Sequence, residues 1–204
     1  DLKESCLRSD TTVKVFDQMR KLQGFTDEGS PGRDWNVATG MVIEGKAGFQ
    51  IMGDWAKGEF TAAGKVPGVD YYCAPTPSNN GYLYNVDSFI FYKTSDPEKQ
   101  EGQKLLAKLM MGKNFQKVFN LYKGSIPARL DVPMDEFDKC AKTSNADIKT
   151  AGASGGLVPS FAHGMAQGNT MKAALQDIIT EHFNSDMSSV DAANALADSV
   201  LANM

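Results

Sequence analysis

Apolar residues recur at helical spacing along most of the chain, which predicts a helix-rich protein. The pattern predicts helices over residues 11–22, 35–44, 56–63, 97–110, 115–122, 135–142, 169–183 and 189–200. Shorter apolar runs, bounded by glycine and proline, predict strands over residues 49–52, 69–73 and 81–93. A glycine-rich segment over residues 150–159 is typical of a flexible connection. The predicted fold class is therefore α/β, helix-rich with short strands.

The segment 81–93 combines a strand pattern with two polar side chains. Asn85 and Asp87 are two residues apart, so in an extended chain both project from the same side. The aromatic and β-branched residues at 88–92 follow directly and favour packing in a sheet. We therefore expect an amide and a carboxylate to point the same way from the edge of a core.

Three other polar or aromatic residues stand where predicted elements end. Trp55 lies where the strand 49–52 gives way to a helix, Lys123 precedes a glycine that ends a helix, and His163 lies in a loop before a helix. Each also has a purely structural explanation, such as a core tryptophan or a cation at a helix C-terminus. Together with Asn85 and Asp87 they supply the groups that hold a polyol, since polar groups bond its hydroxyls and a ring covers its C–H face.

Composition and charge exclude several function classes. The net charge of −4 and the pI of about 5.2 disfavour nucleic acid as a partner, since no basic stripe could neutralise phosphates. No apolar run approaches the ~20 residues that cross a bilayer. Neither a P-loop nor a G-x-G-x-x-G motif occurs, so no cofactor is expected. The 204 residues allow one large domain or two small ones, and the first residues read like the middle of a longer chain.

Cys6, Cys73 and Cys140 show no metal-binding spacing, so we expect no metal site. An odd number of cysteines allows one disulfide and one buried thiol. The sequence leaves the pairing open but favours Cys6 with Cys140, because Cys73 falls in the run 69–73, where it would serve as a small buried hydrophobe.

Two functions other than polyol binding stay open at this point. A carbohydrate-active hydrolase would use Asp54 or Glu59 together with Asp87 as its carboxylate pair. A structural or interaction module would carry the same polar residues without using them. The polyol-binding interpretation requires no nucleophile or acid–base pair, and the chain has only two histidines with which to build one.

Four motifs occur in order along the chain: Met-Gly-Asp-Trp at 52–55, Cys-Ala-Pro-Thr-Pro at 73–77 leading to Asn-Val-Asp at 85–87, Lys-Gly-Ser-Ile-Pro-Ala-Arg at 123–129, and Pro-Ser-Phe-Ala-His-Gly at 159–164. Together they resemble the extracellular solute-binding proteins of ABC sugar importers, most closely the periplasmic glucose-binding proteins. The resemblance implies non-catalytic binding of a monosaccharide, expected to be glucose or a close hexose, and its delivery to a membrane permease. The implied ligand contacts are Asn85, Asp87, Lys123, His163 and Trp55.

The same resemblance implies a periplasmic protein with the two-lobe, type II architecture of periplasmic binding proteins. Members are about twice as long, so the chain looks like their C-terminal half, and the missing N-terminal half becomes an expected partner. Residues 1–69 and 111–204 would belong to the C-terminal lobe. Residues 70–110 would cross into the N-terminal lobe, leaving the strand 81–93 without the sheet that it joins.

Overall fold

A computed structural model describes residues 3–77 and 81–203, and the chain divides into two compact units. Unit 1 combines Asp1–Arg33 with Pro159–Met204, and unit 2 is Asp34–Val158. Unit 1 contains helices α1 (Glu4–Leu7), α2 (Asp10–Gln23), α8 (Asn169–Asn184) and α9 (Ser189–Ala202). Unit 2 contains α3 (Trp35–Ile43), a 3₁₀ helix (Asp54–Ala56), α4 (Lys57–Ala62), β1 (Tyr82–Tyr84), α5 (Pro97–Met110), α6 (Lys113–Lys123) and α7 (Lys139–Ser154), and β2 (Leu157–Pro159) starts at its end.

Helix boundaries follow local signals that the sequence carries. Ser9, Asp96, Asp138 and Ser188 each accept a backbone N–H at the start of α2, α5, α7 and α9. Pro97 occupies the first turn of α5, where its missing N–H costs nothing. Gly124 ends α6 with a φ of 87°, a left-handed conformation that glycine adopts without strain. The prediction of a helix-rich chain with a few short strands is confirmed.

Unit 1 is built on the packing of α2, α8 and α9. Phe16 of α2 is buried against Ala192 and Ala193 of α9, whose small side chains let the two helices approach closely. A second cluster joins Met171 and Leu175 of α8 to Val200 of α9. The apolar faces predicted for these three helices therefore form the core of unit 1.

His182 is a fully buried histidine in this core, with a relative exposure of 0%. Its ring meets the Phe16 ring edge-on, with centroids 4.9 Å apart, and its Nε2 lies 3.4 Å from the Ser189 hydroxyl. Among the described residues its Nδ1 has no hydrogen-bond partner. Burial lowers the pKa of His182 and the nearby Arg20 charge lowers it further, whereas Asp17 opposes the shift.

We expect the protein to lose stability as the pH falls below about 6.5, the ordinary pKa of histidine. The native state binds this proton less readily than the unfolded state, so the histidine contribution is fully present above that pKa and is lost as the pH falls. Urea unfolding at pH 7.5, 6.5 and 5.5 measures it. His182→Leu should flatten the loss between pH 7.5 and 5.5, whereas the exposed His163→Leu should retain it; equal pH dependence in both variants would contradict the assignment.

Unit 2 has a smaller core at its α6–α7 side. Val132, Phe137 and Ala141 are buried there. The Phe60 and Tyr71 rings stack with centroids 4.1 Å apart. The Tyr82 hydroxyl lies 2.7 Å from the Ser144 hydroxyl, which attaches β1 to α7.

Several strand predictions are wrong over most of their length. In the described residues, β1 and β2 form a two-stranded sheet, and the strand predicted over 81–93 is reduced to Tyr82–Tyr84. Residues 49–52 form no strand, and the run 69–73 is reduced to an isolated bridge between Pro67 and Tyr71. A strand needs a neighbour to accept its backbone hydrogen bonds, and these apolar runs have none in the part of the chain described. Phe49 and Tyr92 are consequently 96% and 81% exposed.

Three further predictions also need correction. The short helix predicted over residues 135–142 instead begins at Lys139 and continues to Ser154, so the segment 150–159 is helical at its start. Alanines carry the helix on until Gly155, which takes a left-handed φ of 72°. The preferred pairing of Cys6 with Cys140 is wrong as well. Cys140 is joined to Cys73, with Cα atoms 5.7 Å apart, and Cys6 is an exposed thiol in α1.

Candidate functional site

Asn85, Asp87 and Lys123 come together in unit 2. The Asn85 Nδ2 donates to Oδ1 of Asp87 over 3.2 Å, so the two side chains point the same way from the extended segment after β1. The Lys123 ammonium donates to the other carboxylate oxygen of Asp87. Asp87 therefore accepts an amide donor and a cationic donor on its two oxygens.

Lys123 owes its position to the end of α6. It is the last residue of that helix, and the left-handed turn at Gly124 leads the chain away from it. Its ammonium lies 5.8 Å from the centroid of the Phe119 ring, within the range of a cation–π contact. The side chain of Lys123 is 29% exposed and that of Asp87 is 64% exposed, so the pair is accessible to a solute.

Aromatic side chains adjoin this pair. A groove of about 540 Å³ runs beside Lys123, and it is lined by Phe115, Val118, Phe119, Tyr122 and Lys123. The Phe115 and Phe119 rings stack with centroids 5.5 Å apart. Both rings and the Lys123 ammonium belong to α6, so an apolar ring surface and a polar donor are available side by side.

Trp55 lies in the 3₁₀ helix and is half-buried, with its indole over the backbone of Gly53. A Cβ added at Gly53 would lie 2.2 Å from the ring, so this indole position requires glycine at position 53. Gly53 is part of the Met-Gly-Asp-Trp motif, but nothing in the sequence identified this glycine as required. The role of Trp55 as a wall for a ligand stays a prediction.

His163 lies in unit 1, in the turn between β2 and α8. Its Nδ1 is 2.7 Å from the hydroxyl of Ser160, a residue only 3% exposed, so Ser160 fixes the orientation of the imidazole. Two backbone bonds close the turn, from the Gly164 N–H to the Phe161 carbonyl and from the Met165 N–H to the Ser160 carbonyl. Ser160 was not singled out by sequence reasoning. That His163 contacts the same ligand as Asn85, Asp87 and Lys123 stays a prediction.

Asp54 is engaged with backbone rather than displayed to a substrate. Its Oδ2 accepts the Ile126 N–H over 3.1 Å, and the Ser125 side chain also hydrogen-bonds to it. Burial raises the pKa of Asp54, while the hydrogen bond from Ile126 and the charges of Lys57 and Lys123 oppose the shift. Glu59, the other carboxylate of the hydrolase alternative, is exposed on α4.

Within the described residues, no cluster of histidine, cysteine, aspartate or glutamate side chains could hold a metal ion. In the same part of the chain, no helix is both long and apolar enough to cross a membrane.

The profile of the bacterial extracellular solute-binding proteins matches residues 1–150. The chain belongs to this family. It is 46% identical over 201 residues to a probable sugar-binding periplasmic protein of Brucella suis and 43% identical over 201 residues to one of Rhizobium meliloti. Over 172 residues it is 33% identical to an uncharacterized ABC transporter extracellular-binding protein of Pyrococcus horikoshii, covering 84% of the chain and 38% of that relative.

The alignments with the Brucella and Rhizobium relatives cover 98% of this solute-binding protein but only 48% of each relative, so it spans about half their length. The prediction of a periplasmic location is confirmed by this family and these relatives. The family consists of solute-binding proteins, and neither it nor the hydrogen bond that Asp54 accepts from the Ile126 N–H supports the hydrolase alternative.

Proposed function

We propose that this solute-binding protein forms part of a receptor that binds a monosaccharide, glucose or a close hexose, and delivers it to the permease of an ABC importer. The pairing of Asp87 with both Asn85 and Lys123 is the observation that carries the proposal. Carboxylate, amide and ammonium lie within reach of one another, so neighbouring hydroxyls of one sugar can donate to Asp87 and accept from Lys123. The relatives named as sugar-binding support the same ligand class.

In this proposal the sugar replaces an existing ion pair. Asp87 and Lys123 satisfy each other before a ligand arrives, which keeps the two charges at a fixed separation. A hydroxyl inserted between them keeps a charge-assisted bond on each side. Trp55 and His163 are proposed as the ring that covers the C–H face and as an additional donor, respectively.

Titration calorimetry of the full-length protein with glucose, galactose and a disaccharide tests this function. We expect saturable binding of a monosaccharide, with the sugar recovered unchanged at the end of the titration. Release of a hydrolysis product would support an enzyme instead, and the absence of heat with every sugar would contradict the proposed ligand class.

We further propose that the protein has the two-lobe, type II architecture and that its other half covers the exposed apolar segments. The segment 88–92 and the helix α5 expose large apolar side chains, including Ile90 at 78% and Leu105 at 61%. Patches of this kind are sites of association in soluble proteins. They fall inside 70–110, the segment proposed to cross into the N-terminal lobe.

Residues 1–204 expressed alone should therefore associate and bind a hydrophobic dye, and co-expression with the remaining half should suppress both effects. Size-exclusion chromatography and dye fluorescence measure the two states. Charged substitutions at Ile90 and Leu105 should reduce association of the isolated piece, whereas the same change at Val37, exposed on α3, should not. A monomer with a sharp cooperative melt would refute the proposal.

A further inference from the structure

The C-terminus of α6 touches α4 backbone to backbone. A Cβ added at Gly58 would lie 2.8 Å from the Lys123 carbonyl oxygen, and one added at Gly124 would lie 2.6 Å from the Gly58 nitrogen. Both approaches are closer than real Cβ atoms make to such atoms, so both positions require glycine. The end of the helix that presents Lys123 is thus seated directly on the first turn of α4.

Two side chains, those of Asp54 and Lys57, stabilise this contact between α4 and the end of α6. Asp54, just before α4, binds the chain on the far side of Gly124 through the Ile126 N–H. Lys57, the first residue of α4, is 7% exposed and its ammonium lies 2.7 Å from Oδ2 of Asp138, the N-cap of α7. The turn after Lys123 is therefore attached to α4, and α4 is attached to α7.

We propose that Asp54 is a positioning residue for sugar binding: by accepting the Ile126 N–H it fixes the turn after α6 and so places the Lys123 ammonium against Asp87. The inference rests on the proposed function of the Asn85, Asp87 and Lys123 set. Asp54 acts through Lys123 and needs no contact with the sugar.

The chemistry of this role sets what each replacement does. Asn at position 54 keeps an oxygen that accepts the Ile126 N–H, although it loses the charge. Ala removes the acceptor and leaves a half-buried N–H without its partner. If Asp54→Asn keeps the sugar affinity, the role of Asp54 is to accept the Ile126 N–H and not to supply a negative charge to the sugar.

Sugar affinity of the full-length protein is measured for Asp54→Ala, Asp54→Asn, Lys123→Ala and the Asp54→Ala/Lys123→Ala double variant. We expect Asp54→Ala to weaken binding about tenfold, Asp54→Asn to stay within about threefold of the unmodified protein, and the double variant to bind as Lys123→Ala does. Glu59→Ala, which removes an exposed carboxylate from α4, is the matched control and should bind as the unmodified protein does. Additive losses in the double variant, or no rescue by Asn, would overturn the inference.

Hydrogen exchange of the Ile126 amide supplies a readout that requires no sugar. Exchange should be faster in Asp54→Ala and stay slow in Asp54→Asn, and unchanged exchange in Asp54→Ala would overturn the inference. If the unmodified protein and all variants bind no sugar, the proposed function fails while this exchange result still decides whether Asp54 holds the turn. If Asp54→Ala does not fold, Asp54→Ser replaces it, because the serine side chain is too short for its hydroxyl to reach the Ile126 N–H.

Discussion

Replacing Asp87 with Ala should weaken monosaccharide binding by the full-length protein by about 10- to 150-fold. This carboxylate is the centre of the candidate site, since Asn85 and Lys123 both donate to it. A hydrogen bond to a charged group contributes about 1.5–3 kcal/mol, and each 1.4 kcal/mol is tenfold in affinity.

Calorimetric titration with the best-bound hexose measures this effect. Glu44→Ala is the matched control, because Glu44 is a similarly exposed carboxylate that pairs with the nearby Lys46, 2.6 Å away. The control should bind the sugar as the unmodified protein does. An Asp87→Ala variant with undiminished affinity would remove this carboxylate from the site and favour an incidental polar cluster.

Replacing Cys73 with Ser should lower the free energy of unfolding by about 4 kcal/mol. The Cys73–Cys140 disulfide joins positions 67 apart in the sequence, and on the chain-entropy model closing a loop of that size destabilises the unfolded state by about 4 kcal/mol. It also attaches the segment that leads to Asn85 and Asp87 to the first turn of α7. Its loss should therefore weaken sugar binding as well as stability.

Denaturant unfolding under oxidising conditions measures this difference. Cys140→Ser and the Cys73→Ser/Cys140→Ser double variant should both match Cys73→Ser, because each removes the same bond. Cys6→Ser is the control, and its exposed thiol should leave stability within about 0.5 kcal/mol of the unmodified protein. A thiol reductant should lower the stability of the unmodified protein to that of the double variant, and equal midpoints with and without the reductant would contradict the prediction.

The candidate site was predicted from the sequence to different depths for different residues. The spacing of Asn85 and Asp87 predicted that both point one way, and the hydrogen bond between them agrees with this. The ion pair of Asp87 with Lys123 joins positions 36 residues apart, and nothing in either local sequence indicates it. Ser160 orients His163, but the sequence did not predict this role because a single serine belongs to no recognisable motif.

The sequence by itself determined most of the helices and several of their ends, although it missed α1 and placed both ends of α7 wrongly. Caps such as Asp96 and Ser188, and the helix-ending Gly124, act within a few residues, so their physics is local and is written in the order of the chain. The tertiary structure alone decided which cysteine meets Cys140 and which apolar runs become strands. Those outcomes depend on distant partners, because a disulfide needs two Cα atoms brought close and a strand needs a neighbour for its backbone hydrogen bonds.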